Sequence, residues 1–284
     1  MEDRQPTFDL LGEDQTMRLL LGIVTGAILL GGCTVSDPPQ ATGTSTPTPP
    51  ATSPAAPTPA PPPSPDACYR LSYRDLGAQS APERAVPCRT RHDAQTIHVG
   101  VLPATTSAAA TGEHVTRVCR RRLSGFLNGD RETRRLSRFT VVWFGPTKSQ
   151  LAAGASWFRC DVVAFSTDNH LLRLPRPAKL AGAMGRPDAL ATYGLCGSSA
   201  PGDPGFTRVI CGRQHAWQAV ATVGIGGGTY PSKEALSSAG QTICNDRARA
   251  LAGNALQFRY GWEWPSRRQW RNGQHYGYCW APSA

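Results

Sequence analysis

Residues 146–160, Pro146-Thr147-Lys148-Ser149-Gln150-Leu151-Ala152-Ala153-Gly154-Ala155-Ser156-Trp157-Phe158-Arg159-Cys160, are answered 119 residues later by Pro265-Ser266-Arg267-Arg268-Gln269-Trp270-Arg271-Asn272-Gly273-Gln274-His275-Tyr276-Gly277-Tyr278-Cys279. Pro, Gln, Gly and Cys recur in both at steps of four, four and six. Chance agreement over four residue types is improbable, so the chain after Ala67 reads as an internal repeat. Upstream, Val86-Pro87-Cys88 with His92 matches Val209-Ile210-Cys211 with His215, each His four residues after its Cys, and a Gly follows at 100 or 224. Each half also has a middle cysteine, Cys119 or Cys244.

The repeat therefore defines two modules of four cysteines, Cys68, Cys88, Cys119 and Cys160 in residues 67–166, then Cys196, Cys211, Cys244 and Cys279 in residues 190–284. Between them Pro175, Pro177, Gly182, Gly185 and Pro187 interrupt periodicity, as a connection between domains does. Within the first module His92–Leu102, Arg138–Phe144 and Trp157–Phe165 read as strands. Glu113–Leu127 places Val115, Val118, Cys119, Leu123 and Phe126 near helical spacing, with Arg on the other face. Lys233–Leu251 echoes that helix in the second module. The expected fold class is α+β, two tandem disulfide-bonded modules, each a small antiparallel sheet with one covering helix.

The amino-terminal sequence fixes the compartment. The longest apolar run, Leu19–Leu30, falls short of the ~20 residues that span a bilayer and has the length of a signal-peptide core. It ends Leu30-Gly31-Gly32-Cys33, which resembles the lipobox at which bacteria acylate a cysteine and cleave before it, so Cys33 is the expected lipidation site and residues 1–33 the extension and signal. Glu2, Asp3, Asp9, Glu13 and Asp14 make the first sixteen residues acidic where an export signal wants a positive start; Met17-Arg18 supplies that start, and Met17 is the expected first residue. Residues 34–66 hold twelve Pro, many Thr, Ala and Ser, and no aromatic residue, Lys or Arg. Such a disordered tract acts as a spacer reaching at most ~100 Å, at ~3.1 Å per residue.

An exported chain meets oxidants, so the eight remaining cysteines are expected as disulfides and no metal or other cofactor is expected; no C-x2-C pair of a zinc site occurs. Four cysteines allow three pairings per module. Neighbours in the chain are favoured, Cys68 with Cys88 and Cys196 with Cys211 across adjacent strands, and Cys119 with Cys160 and Cys244 with Cys279 from helix to last strand.

Of 30 basic residues 27 are Arg, a skew that a GC-rich genome produces. The formal net charge of +10 rises to +15 over the modules, once the acidic extension and spacer are set aside. Arg117, Arg120, Arg121, Arg122, Arg131, Arg134, Arg135 and Arg138 form a cluster broken only by Asp130 and Glu132. It reads either as a solvated helix face or as a contact for anionic lipid or an acidic wall polymer; nucleic acid is in the wrong compartment. His92 and His215 stand at equivalent positions and are candidate ligand-binding residues, with ordering of the turn after each cysteine as the plainer role. Among the tryptophans, Trp262 and Trp264 are candidates for stacking on carbohydrate against a default of core packing. The Gly224–Gly228 run lacks the Lys and the helix start of a phosphate loop and reads as a turn.

No G-x-S-x-G elbow or H-E-x-x-H occurs, and no carboxylate pair stands out. The function expected is a non-catalytic binding or scaffold lipoprotein of the cell envelope, membrane-anchored through Cys33. The alternative is an exported enzyme or enzyme inhibitor acting on an envelope component, which a cleft gathering polar residues would favour.

Val86-Pro87-Cys88-Arg89-Thr90-Arg91-His92-Asp93-Ala94-Gln95 resembles the P-C-x-x-x-H-D-A motif of the actinobacterial septum-formation family of membrane-bound and lipoprotein modules. The second copy departs from it, with Ile210 for the Pro and Ala216-Trp217 for Asp-Ala. The resemblance implies a cell-envelope protein tied to division-septum formation and carries over no catalytic residues.

Overall fold

The computed structural model describes residues 59–80, 84–104 and 107–283; Cys33, Met17, the signal and most of the spacer lie outside them. Nine steps of chain build the first sheet and its surroundings. Strand β1 (Cys68–Tyr69) leads through a single 3-10 turn at Tyr73–Gly77 to β2 (Ala94–Val101), then α1 (Ala108–Leu127), α2 (Arg131–Arg135), β3 (Phe139–Phe144), α3 (Lys148–Ala152), β4 (Trp157–Thr167) and the short β5 (His170–Leu171). All pairs are antiparallel, in the order β1-β2-β4-β3, with β5 folded back on β4.

After α4 (Pro177–Leu180), a 3-10 turn at Ala183–Gly185 and α5 (Ala189–Tyr193), the second sheet follows from β6 (Leu195–Gly197), β7 (Arg208–Ile210), β8 (Trp217–Gly224), β9 (Gly261–Glu263) and β10 (Tyr276–Pro282). Its order is β7-β6-β8-β10-β9. Helices α6 (Lys233–Ala239) and α7 (Gln241–Leu251) precede β9, and α8 (Arg267–Arg271) separates β9 from β10. The fold is thus α+β with antiparallel sheets, helices and four disulfides.

The two sheets correspond residue by residue. Cys160 of β4 faces Trp143 of β3 as Cys279 of β10 faces Trp262 of β9. Gln95 faces Cys68 as Gln218 faces Cys196, and each Gln lies three residues after its module's His. Even the irregularity repeats. The β2–β4 register shifts between Thr96 and His98 opposite Asp161 and Cys160, and the β8–β10 register shifts between Trp280 and Cys279 opposite Ala219 and Ala221. A bulge placed alike in both ladders is a feature of the fold rather than a defect.

The Pro-Gln-Gly-Cys spacing has a local cause. Thr147 and Ser266 cap α3 and α8; each hydroxyl accepts from the backbone N–H of Gln150 or Gln269, and each Gln side chain returns to the cap's N–H, at 2.9 and 2.8 Å. This is a capping box. The helices end at Gly154 (φ +91°) and Gly273 (φ +85°), a left-handed conformation that glycine adopts without a Cβ penalty. The next N–H closes back on the Gln carbonyl at 2.9 Å in both halves. The motif that reveals the repeat is a helix start and stop, and its cysteine is the strand residue it delivers.

The disulfides join Cys68 to Cys88, Cys119 to Cys160, Cys196 to Cys211 and Cys244 to Cys279. Cys119 and Val115 of α1 pack on Phe158 and Cys160 of β4, and Cys244 of α7 packs on Ala221, Val223 and Cys279.

Two expectations need correction. Helix α1 starts at Ala108 rather than Glu113, because Ser107 caps it by accepting from the Ala110 N–H at 3.1 Å. The single helix expected over Lys233–Leu251 is broken at Gly240, where a Cβ would stand 2.2 Å from the Trp262 ring. The connection between the halves is packed. Leu174, Leu180, Ala183, Met184 and Ala189 are buried with Leu127, Phe139 and Val162 in one core, which continues the α1-covered face of β4 beyond Cys160.

Candidate functional site

The arginine cluster is the feature with the strongest chemistry, and the structure divides it. Helix α1 carries four arginines against one carboxylate, Glu113. With Cys119 turned to the sheet, Arg117, Arg120 and Arg121 take the opposite side and stand exposed, as does Arg122 toward β2. There Arg122 helps, after burial, to lower the pKa of half-buried His98. No ion pair links Arg117, Arg121 or Arg122 to a carboxylate among the described residues. Arg131 is exposed at the start of α2.

Of the remaining members, Arg120 and Arg135 reach the second half. Arg120 donates to the Asn272 carbonyl at 2.9 Å. Arg134 turns back to the carbonyls of Asn128 and Gly129. Arg135 lies 4.1 Å over the ring of Tyr276 in β10, and Glu132 beside it accepts the Thr222 N–H of β8 at 3.0 Å. Arg138 is buried, donates to the Phe165 carbonyl at 3.2 Å and pairs with Asp168 at 3.6 Å; burial first of all draws its pKa down to about 10, so it stays charged at neutral pH. Sequence treats these as one basic face. Arg134, Arg135 and Arg138 instead belong to packing, and the free cationic surface is Arg117, Arg121, Arg122 and Arg131 with the docked Arg120 at its border.

The repeat adds a second discriminator. Counting from Cys119 and Cys244, Arg120, Arg121 and Arg122 stand where the second half has Asn245, Asp246 and Arg247. Arg122 is kept as Arg247, whereas Arg117, Arg120 and Arg121 are replaced by Thr242, Asn245 and Asp246, so the denser basic face is that of the first half.

His92 and His215 make the same contact, ring Nδ1 to the carbonyl two residues earlier, Thr90 at 2.9 Å and Arg213 at 2.7 Å. Backbone turns, Thr90 N–H to Pro87 and Arg213 N–H to Ile210, enclose both contacts. This is the turn-ordering geometry. His92 is buried, with Asp93 next to it pushed up by burial despite Arg91. Trp262 donates from Nε1 to the Leu236 carbonyl at 2.7 Å and packs over Gly240 and Gly277, so its ring is spent on the core; Trp264 is half-buried. The Gly224–Gly228 run is a turn, held where Trp270 donates to the Gly228 carbonyl at 2.9 Å.

Sequence reasoning missed the buried charges. Arg208 pairs with Glu263, whose other oxygen accepts from Trp280 at 3.0 Å, and Arg159 pairs with Asp161 at 3.0 Å beneath the ring of Tyr69. These pairs sit inside the sheets' packing and face no groove. Open grooves include one of about 370 Å³ beside Asp130, Thr133, Met184 and Arg186, and one of about 530 Å³ beside Leu251, Phe258, Arg259 and Pro282. Among the described residues no three His, Cys, Asp or Glu side chains are grouped to hold a metal ion, and no helix is long and apolar enough to cross a membrane.

Comparison with curated proteins and with solved structures found no match. The family model described as septum formation matches residues 109–279. The match opens in α1, runs through the connection and closes on Cys279, the last cysteine of β10; the Pro87–Ala94 motif lies before it. One model crossing both sheets agrees with a core that both halves share, in which Leu136 is buried with Leu195, Trp217 and Trp280, and a match over more than half of the chain shows that the protein belongs to the septum-formation family.

Proposed function

We propose that the chain is a non-catalytic binding protein of the cell envelope, tethered through Cys33, which holds an anionic envelope polymer on the exposed face of α1 in connection with septum formation. The observation that carries this reading is the cationic surface of Arg117, Arg121, Arg122 and Arg131, exposed, without ion-paired carboxylates among the described residues, and matched in the second half only at Arg122, by Arg247. A surface charge that serves only solubility has no reason to be concentrated in one copy of a duplicated fold. Four disulfides support an oxidising, extracytoplasmic setting, where wall polymers and anionic lipids are the abundant partners. The tandem reading of the halves as two family-type modules rests on the shared register, capping boxes and bulges.

Cosedimentation of the full chain with isolated cell wall tests the reading. Binding that falls steeply between about 50 and 200 mM salt, within reach of a Debye length of about 10 Å at 0.1 M, is expected. Binding that salt leaves unchanged, or release of polymer fragments on incubation, favours the enzyme alternative instead.

A further inference from the structure

Five large apolar side chains are exposed among the described residues, and three of them fall in one fourteen-residue stretch: Ile243 (46 %), Leu251 (64 %) and Leu256 (94 %). Ile243 and Leu251 are two turns apart on α7, Leu251 at its last residue, with exposed Arg247 between them. Leu251 also borders the 530 Å³ groove, whose walls include Ala252, Phe258 and Pro282.

The repeat shows why these positions are apolar and why their exposure is unusual. Aligned on the middle cysteines, Ile243 and Leu251 stand where the first half has Val118 and Phe126. Those two are half-buried, and Phe126 packs against the core formed by the connecting segment with Leu174, Leu180 and Met184. In the second half no described residue does the same for Leu251.

Charge identifies the occupant. Arg247, Arg249 and Arg259 are exposed in the same stretch, Arg259 lining the groove with Leu251, and only Asp246 opposes them on this part of α7. Arg249 lies over the ring of Phe258 at 5.3 Å and Arg259 over Trp217 at 5.4 Å, so their stems lie along apolar surface. Apolar tips with cations beside them match the boundary between acyl chains and anionic headgroups, where leucine enters and arginine reaches back to phosphate. We propose that residues 243–259 form a membrane-contact surface for an anionic phospholipid bilayer, separate from the polymer-binding face on α1.

The test uses the full chain bound to vesicles of phosphatidylglycerol and phosphatidylcholine that contain a phospholipid with a diazirine in its acyl chain. After irradiation, labelled peptides are mapped by mass spectrometry. Label in residues 243–259 is expected, with about a hundredfold loss in Leu251→Ser/Leu256→Ser, since each leucine transferred from water is worth about tenfold. Because both side chains are exposed, the fold should survive, which circular dichroism checks. Replacing Arg117, Arg121 and Arg122 with Gln should leave this label unchanged, so the two proposals fail separately. No label in this segment, label indifferent to the serine variants, or equal label in pure phosphatidylcholine overturns the proposal. So does a lipid-free dimer that the serine variants dissociate, which would give the surface to a second copy of the chain.

Discussion

Arg138 Nη2 lies 3.6 Å from Asp168 Oδ1, and the other oxygen of that carboxylate accepts the backbone N–H of Arg208 at 3.1 Å. One carboxylate at the β4–β5 turn thereby ties the first sheet to β7 of the second. Removing one partner of a buried pair is costly because the other charge stays behind. Arg138→Met should cost about 3 kcal/mol in urea unfolding. The unfolding should remain one transition, because the halves share their cores; two separated transitions in the parent protein would contradict this.

The capping boxes should behave as equals. Thr147→Ala and Ser266→Ala should each cost about 1 kcal/mol, the usual worth of such a cap. Thermal melts of the two variants check it. A cost confined to one half would mean that the matched geometry is not matched in energy.

How much of this was legible follows from the same residues. Pro146, Gln150, Gly154 and Cys160 could be read because a helix start, a helix stop and a disulfide each demand a residue type at a fixed distance, and the demand recurs in the second half. Gln95 and Gln218 carry the same kind of signal, three residues after each His, and were readable but unread. Arg138 and Arg135 were not separable from Arg121, since a guanidinium in a sheet-to-sheet contact and one in solvent look alike until the partner, Asp168 or Tyr276, is known. Glu263 and Arg208, 55 residues apart, are invisible for the same reason.

Disulfide contributions should follow loop length. By chain entropy the bridge closing 41 residues, Cys119–Cys160, is worth about 4 kcal/mol and the one closing 15 residues, Cys196–Cys211, about 3 kcal/mol. Paired Cys→Ala variants measured by urea unfolding give the order. Alkylation without reduction should label none of the eight cysteines.

Asp161 gives the protein a pH dependence opposite to that of an ordinary salt-bridged carboxylate. Burial pushes its carboxyl from 3.8 up to about 6, against the pull of Arg159 and the hydroxyl of Thr96, which donates at 2.8 Å. Between these values the folded chain holds a proton that the unfolded chain has released, so this group's contribution falls as pH rises from 3.8 to about 6 and is level above. The difference in unfolding free energy between the parent and Asp161→Asn, followed from pH 4 to 7, should shrink across that window. A difference that is flat with pH, or that grows, would refute the assignment.

The central claim is that binding resides on the α1 face rather than in the protein's overall positive charge. It is tested most directly by comparing two variants of equal net charge for affinity to isolated anionic wall polymer. One is Arg117→Gln/Arg121→Gln/Arg122→Gln; the other is Arg74→Gln/Arg89→Gln/Arg213→Gln, three exposed arginines elsewhere. At roughly 1 kcal/mol per arginine near an anionic surface, the first should lose well over tenfold in affinity while the second stays within about twofold of the parent. Equal losses in the two variants would contradict the account and reduce the α1 arginines to a share of a diffuse charge.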